Sequence, residues 1–452
     1  MLDVLISIAA FIVAIGVLVS FHEFGHFWMA RQLGVKVLRF SIGFGKPLWS
    51  RRGRDGVEYA LAAVPLGGYV KMLDEREGPV APAEAGLAFN RQPVWKRVAI
   101  VAAGPASNLL LATVLYWIVF MVGQPGLKPL IAEPAAHSRA ALAGLHAGDE
   151  IVRLNNEPVP TWQVLNTALI ERALDSGGVE IEIRGPDGTT RVRRLDLDGV
   201  RMDPEFLFED AGLAPFQPDF PPVIADVMPG EPAAAAAFKA GDKLLAYRGT
   251  PIVSYQQWAT WLRAHPGEAV DVDIERGGQR ATLTVIIGRK EHSDGTAQGW
   301  FGAHFEVPAG VRDNLITEYR LSPGAAIPAA VAQTARYSVL TLKMLYRMVL
   351  GDVSVKNVSG PIQIAQIAGY TASIGLVSFL SFIAIVSVSL GVLNLLPVPV
   401  LDGGHLLYFG VEIVKGSPLS ERAQLLGQQI GLTLLIALMG LAFYNDILRL
   451  IG

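Results

Sequence analysis

Four stretches of the chain, residues 4–29, 98–122, 374–396 and 425–443, are apolar almost without interruption. Each supplies the ~20 residues that a helix needs to cross a bilayer, so the pattern predicts four membrane spans. The first follows Asp3 rather than a basic cluster, and no small-x-small cleavage site succeeds it. It therefore reads as a retained span and not a secretory leader. The fourth contains Gln428, Gln429 and Gly431; an interfacial helix there would move the C-terminus to the other side. Between the first two spans lie β-like runs at 37–44 and 59–72, with a glycine-bearing Gly43-Phe-Gly45 at the end of the first and Pro65-Leu-Gly-Gly68 in the second. After the second span the pattern repeats. Pro129-Leu-Ile-Ala-Glu133 recurs as Pro222-Val-Ile-Ala-Asp226, Ala147-Gly-Asp149 as Ala240-Gly-Asp242, and Glu157-Pro-Val159 as Thr250-Pro-Ile252, all at an offset of 93 residues. A constant offset marks a tandem duplication. Each copy alternates β-rich runs (180–184, 270–275) with helical stretches (165–174, 256–263), and residues 334–350 are amphipathic enough to lie on a membrane surface.

Composition agrees with a membrane protein. Only 17% of the 452 residues are charged and mean hydropathy is +0.37, whereas an ordinary soluble domain carries about 25% charged residues. The absence of cysteine excludes disulfides, a thiolate zinc site and a cysteine nucleophile. A net charge of −3 gives no reason to expect nucleic acid as a partner. The distribution of charge is more informative than its sum. Residues 31–97 carry 12 Lys/Arg against 6 Asp/Glu, and residues 123–372 carry 23 against 29. Basic residues near a span resist translocation, so the first loop is expected in the cytoplasm and the long segment and both termini outside.

Three polar side chains interrupt the first span together, in His22-Glu23-Phe24-Gly25-His26. Histidines at i and i+4 share one helical face and can hold a zinc ion, and the intervening glutamate can take a proton from the attacking water. Ionisable groups at membrane depth cost at least ~2.5 kcal/mol each near the bilayer centre, which argues against a purely structural role. A catalytic zinc usually has three protein ligands, so a third is expected from another helix. Asn394-Leu-Leu-Pro-Val-Pro-Val-Leu-Asp402-Gly-Gly-His405 follows the third span on the same expected side as the histidines, and Asp402 can reach the metal. A metal transporter would also place polar groups at this depth, and an inert adaptor would also carry outer domains. Neither explains the glutamate between the histidines.

The HExxH in the first span, the NxxPxPxLDG after the third and the order of the parts resemble the site-2 protease family of intramembrane zinc metalloproteases. The Gly144-Leu-His-Ala-Gly-Asp149 and Phe238-Lys-Ala-Gly-Asp242 segments resemble PDZ domains, which bind extended peptides by strand addition; Gly299-Trp-Phe-Gly-Ala303 offers a carboxylate-binding edge in the second copy. The protease resemblance implies His22, His26 and Asp402 as zinc ligands, Glu23 as catalytic carboxylate and Asn394 as a substrate-handling residue, with His405 outside the ligand set. It also implies that the β segment bearing Gly43, Gly45, Gly68 and Val70 dips into the membrane beside the site. Implied partners are the lipid bilayer and single-pass membrane proteins of a bacterial inner membrane, such as an anti-sigma factor after a first cut, together with signal-peptide remnants and C-terminal peptides for the PDZ-like domains. The expected fold class is a polytopic α-helical membrane protein of four transmembrane helices, with a membrane-associated β segment and two extracytoplasmic α+β PDZ-like domains. The expected divisions are 1–31 and 98–123 for the first two spans, 32–97 for the loop between them, 124–220 and 221–308 for the two copies, and 309–372 for an amphipathic linker. Residues 373–405 then hold the third span and its motif, and 406–452 a loop and the fourth span.

Overall fold

The computed structural model describes residues 2–175, 177–291 and 297–451. It divides into two compact units, one of Met1–Gln124 with Tyr319–Ile447 and one of Pro125–Glu318 with Leu448–Gly452. The first unit is helical: α1 (Leu2–Gln32), α2 (Val94–Val122), α3 (Pro323–Leu350), α4 (Pro361–Ile374), α5 (Leu376–Asn394), α6 (Asp402–Lys415) and α7 (Glu421–Ile451). Four stretches, Val4–Gln32, Val94–Val122, Leu376–Asn394 and Glu421–Leu450, are long and apolar enough to cross a membrane. Their outer surfaces expose Ile8, Ile12, Leu110, Ile385, Ile436 and Met439, which water would not favour and lipid would. The helices of the second and fourth spans, α2 and α7, begin before the apolar windows because Trp95–Arg97 and Glu421–Arg422 extend the helix ahead of the apolar stretch.

Small residues let these helices approach closely, as is usual where lipid supplies no hydrophobic drive between helices. Ala10, Ala14 and Leu18 of α1, Leu111, Ala112 and Leu115 of α2, and Ala384 and Val388 of α5 form one buried cluster. A Cβ at Gly25 would strike the Ala103 carbonyl and the Ser107 hydroxyl, and one at Gly391 would come 3.1 Å from the Pro105 carbonyl. Thr334, at the start of the amphipathic run, is buried in α3, where the Thr113 hydroxyl of α2 donates to its Oγ1 at 3.0 Å.

The loop between α1 and α2 forms two long antiparallel strands, β1 (Val37–Arg52) and β2 (Glu58–Met72). Both fold back on themselves. Ile42 of β1 pairs with Gly68 and with Leu61 of β2, while Trp49, further along β1, also pairs with Leu61. Four segments therefore lie side by side in the order 68–72, 37–42, 58–62, 47–52. The reversal in β1 uses Gly43 and Gly45, both near φ +90°, a conformation glycine adopts without steric cost. The first β-like run was expected to end at Phe44; the strand resumes after the bend and ends at Arg52.

The second unit carries two four-stranded antiparallel sheets with the same strand order. One runs Glu157–Pro158, Glu150–Leu154, Val179–Arg184, Thr190–Leu195, and the other Thr250–Pro251, Lys243–Tyr247, Ala269–Arg276, Gln279–Ile286. Each copy adds a helix, Trp162–Asp175 or Tyr255–Ala264. Buried Ile151, Leu165, Ile181 and Ile183 fill one core, and Leu244, Trp258, Val272 and Ile274 the other. The recurring Gly-Asp has a local cause: the Asp149 carboxylate accepts from the His146 amide at 3.0 Å, and Asp242 from the Lys239 amide at 2.8 Å, closing the turn before the strand. In the second copy, Gly299 is in backbone contact with the helix, its Cβ position falling on the Leu262 carbonyl. A peptide strand has no space between strand and helix at that point.

Candidate metal centre

The helical spacing of His22 and His26 turns both rings to one side of α1, edge to face with centroids 4.8 Å apart. Asp402 comes from the first turn of α6, a position that favours a carboxylate because the helix N-terminus is partly positive. Its Oδ2 lies 3.2 Å from His22 Nε2 and 3.4 Å from His26 Nε2, and the two Nε2 atoms are 3.2 Å apart. Tetrahedral bonds of ~2.0–2.2 Å to a single zinc put neighbouring donor atoms about 3.3–3.6 Å apart, so the triangle has the right size. Oδ2 is also buried without a hydrogen-bond partner among the described residues. Two imidazole nitrogens and a carboxylate oxygen converging in this way suit a divalent cation and leave a fourth position to complete the tetrahedron. Burial raises the Asp402 carboxyl, but the two imidazoles beside it more than reverse this and hold it well below the usual carboxylate range. Among the described residues, His22, His26 and Asp402 form the cluster capable of holding a metal.

The surrounding groups orient the rings. His26 Nδ1 donates to the Ile100 carbonyl at 2.9 Å, which leaves its Nε2 lone pair facing Asp402. The His26 ring needs Gly104, since a Cβ there would strike it. Fully buried Asn108 sets its side-chain amide 3.3 Å from His22 Nδ1, while its Oδ1 is buried without a partner among the described residues. Exchanging the amide oxygen and nitrogen lets Oδ1 accept from His22 Nδ1–H, so that Nε2 keeps its lone pair. Ser387 on α5 fixes this part of α2 by donating to the Asn108 carbonyl at 2.8 Å.

Glu23 is buried beside the histidines. Strand β2 crosses it at Gly68, where a Cβ would lie 2.9 Å from Glu23 Cγ and 3.0 Å from Val19 Cγ1. Gly68 and Val70 thus belong to the sheet segment nearest Glu23, with one edge outermost in the segment order. Gly43 and Gly45 sit instead at the bend of the sheet. Asn394 closes α5, half-buried and before the loop that leads to Asp402. The sequence reading missed Asn108, Ser387 and the Ile100 carbonyl. A single asparagine inside an apolar span was the available signal for the first, because an amide at that depth needs a partner.

The sequence profile of Peptidase family M50 matches residues 10–438. The chain is 42% identical to the regulator of sigma-E protease RseP of Escherichia coli (strain K12) over 455 residues, the whole of both chains. It has the same identity over 456 residues with the regulator of sigma-E protease RseP of Salmonella typhimurium (strain 14028s / SGSC 2262), and over 455 residues with protease RseP of Yersinia pestis, again covering both chains fully. With a donor set that fits zinc inside a helical unit built for a membrane, this likeness leaves one assignment: the chain belongs to Peptidase family M50 and is a zinc metalloprotease.

Proposed function

We propose that this protease cuts single-pass membrane proteins within or next to their membrane-spanning helix, using His22, His26 and Asp402 to hold zinc and Glu23 as the catalytic carboxylate. The observation that carries the reading is the approach of Asp402 Oδ2 to within 3.4 Å of both histidine Nε2 atoms, beside a buried Glu23, in a unit of membrane-length helices. Zinc, when bound, supplies Lewis acidity that polarises the scissile carbonyl and brings the pKa of water to ~7. Glu23 accepts the proton of the attacking water at its carboxylate and delivers it to the leaving amide nitrogen. The burial of Glu23 itself limits the access of bulk water to that transfer.

A helix keeps its carbonyls bonded within itself, so a substrate span must unwind before attack and find other hydrogen-bond partners. The β2 edge at Gly68–Val70 is suited to this, since an extended chain can add to it beside Glu23. Gly43 and Gly45 make the bend of that sheet, and Asn394, at the end of α5, is assigned to handling the substrate backbone. The excess of Lys and Arg in residues 31–97 supports a cytoplasmic side for this loop, with the duplicated PDZ-like copies and both termini outside a bacterial inner membrane. The relatives' names point to sigma-E regulation. An anti-sigma factor trimmed by an earlier cut and remnants of signal peptides fit a site that takes single spans.

The closed space at Gly299 favours a sieving role for the second copy over C-terminal peptide binding. Deleting residues 128–307 is expected to allow cleavage of an untrimmed substrate; continued refusal would count against the sieve. The decisive experiment compares wild type with Glu23→Gln in detergent, measuring bound zinc and cleavage of a single-span substrate in the same preparations. Zinc in both with cleavage by wild type alone is expected. A wild type that folds without zinc would overturn the ligand assignment.

A further inference from the structure

Val400, two residues before Asp402, has φ +93°. A β-branched residue enters this left-handed region only where its surroundings impose it. The loop that contains it is gripped from two sides. Beneath it, a Cβ at Gly404 would lie 2.5 Å from the Val398 carbonyl oxygen and 2.7 Å from Pro399 Cα, and one at Gly403 would strike the Leu395 and Leu396 carbonyls. On its other side is the last helix. A Cβ at Gly431 would strike the Pro399 carbonyl and lie 2.8 Å from Val400 Cγ2. One turn earlier, a Cβ at Gly427 would meet Pro399 Cγ at 3.6 Å and the Tyr408 hydroxyl of α6, which is buried without a hydrogen-bond partner among the described residues. Further along α7, Gly440 has open space around its Cβ position among the described residues.

From these contacts we propose that the Gly427–Gly431 face of α7 is a seat for Pro399–Val400 and that this seat holds the Asp402 carboxylate against His22 and His26. Gly431 and Val400 are then positioning residues for the metal centre. The seat fixes the loop, the loop enters α6 through the left-handed valine, and α6 begins at the carboxylate. Free rotation at Val400 would swing Asp402 away, since a peptide step upstream of a ligand moves its side chain by more than metal coordination tolerates. The inference rests on Asp402 being a zinc ligand, and it adds that the last span, which contributes no ligand, sets where that ligand stands.

The test uses purified full-length protein in detergent. Zinc affinity is measured by chelator competition, and the ligand field is read from the visible absorption of the cobalt(II)-substituted protein. Gly431→Val is expected to weaken zinc binding by roughly 10–100-fold, the range seen when support of a metal ligand is lost, and to change the cobalt spectrum. Gly440→Val on the same helix is expected to match wild type in both. Should Gly431→Val fail to fold, Gly431→Ala carries the same test, because its single methyl already meets the Pro399 carbonyl. Adding Val400→Gly to Gly431→Ala should restore affinity and spectrum, as glycine lets the displaced loop find another path to the same carboxylate position. A change in packing alone would not be rescued in this way. Wild-type affinity and spectrum in both Gly431 variants, with Asp402→Asn losing zinc, would overturn the seat while leaving the ligand assignment standing. Unchanged zinc affinity in Asp402→Asn would overturn both.

Discussion

The two sides of the metal centre are held by different means. One turn of α1 spaces His22 and His26, so their mutual geometry follows from helical periodicity. Asp402 arrives at the end of a loop that needs a left-handed valine, two glycines beneath it and a glycine face on α7. The histidine pair is local and readable, and the carboxylate is imported and depends on packing at several separate points. The difference predicts that remote changes act mainly through Asp402, whereas changes next to α1 act on ring orientation or on proton transfer.

Glu23→Gln should have the largest effect, since it removes the proton acceptor and disturbs neither side of the metal centre. Cleavage is expected to fall by about 10²–10⁴-fold, the usual worth of general acid–base catalysis, with zinc content unchanged. Loss of zinc together with activity would show that Glu23 supports the histidines instead.

Asn108 tests how local the histidine side is. Asn108→Ala removes the amide beside His22 Nδ1 and should weaken zinc binding by about 10–100-fold, while Asn108→Asp, whose carboxylate still accepts from Nδ1–H, should retain most of the affinity. Equal losses in the two variants would indicate that Asn108 serves helix packing and not ring orientation.

Much of this was legible in the sequence, for reasons that differ between elements. The spans could be read because lipid demands a long apolar run, and HExxH because both ligands lie on one helical face. Asp402 could be placed with them because its motif lies on the expected side of the membrane. Asn108 escaped notice because a single amide in an apolar window says nothing of the ring it faces. The left-handed Val400 had no signal at all: valine is a residue that local preference places elsewhere, and only tertiary contact puts it there. The expected run ended at Phe44, whereas the strand bends at Gly43 and Gly45 and continues to Arg52, a path set by its pairing with β2.

Between these extremes lies the strand edge. Val70→Pro should reduce cleavage about tenfold or less without releasing zinc, because proline removes an edge hydrogen bond but leaves the ligands in place. Unchanged cleavage would count against strand addition at β2. Zinc loss would instead mean that the sheet helps hold α1.

The contrast between local and imported support recurs, on a smaller scale, in the duplicated unit. Asp149 and Asp242 occupy equivalent positions and each accepts the amide three residues earlier. Among the described residues, Asp242 alone of the pair adds a distant guanidinium, with Arg276 Nε and an Nη each 2.6 Å from a carboxylate oxygen, where the strand register of the first copy puts Gly185 at the matching position. Burial raises the Asp242 carboxyl, and Arg276 with the Lys239 amide outweighs it, so its pKa lies below the ordinary value. A carboxyl depressed on folding stabilises the fold above its unfolded pKa of ~3.9, and that contribution is lost as pH falls through the lower folded value. Arg276→Leu should therefore start the acid loss of the second copy at higher pH. The cost at neutral pH is expected to be only about 1 kcal/mol, because solvent screens the partly exposed guanidinium. Hydrogen exchange across Ala269–Arg276 in the full-length chain, corrected for intrinsic rates between pH 7 and pH ~4, measures this directly. The strand Val179–Arg184 of the first copy serves as the internal control, since the substitution should leave its protection unchanged. Equal acid sensitivity in wild type and Arg276→Leu would mean that the turn amide alone sustains Asp242, as it does Asp149, and that the imported arginine contributes nothing to the fold.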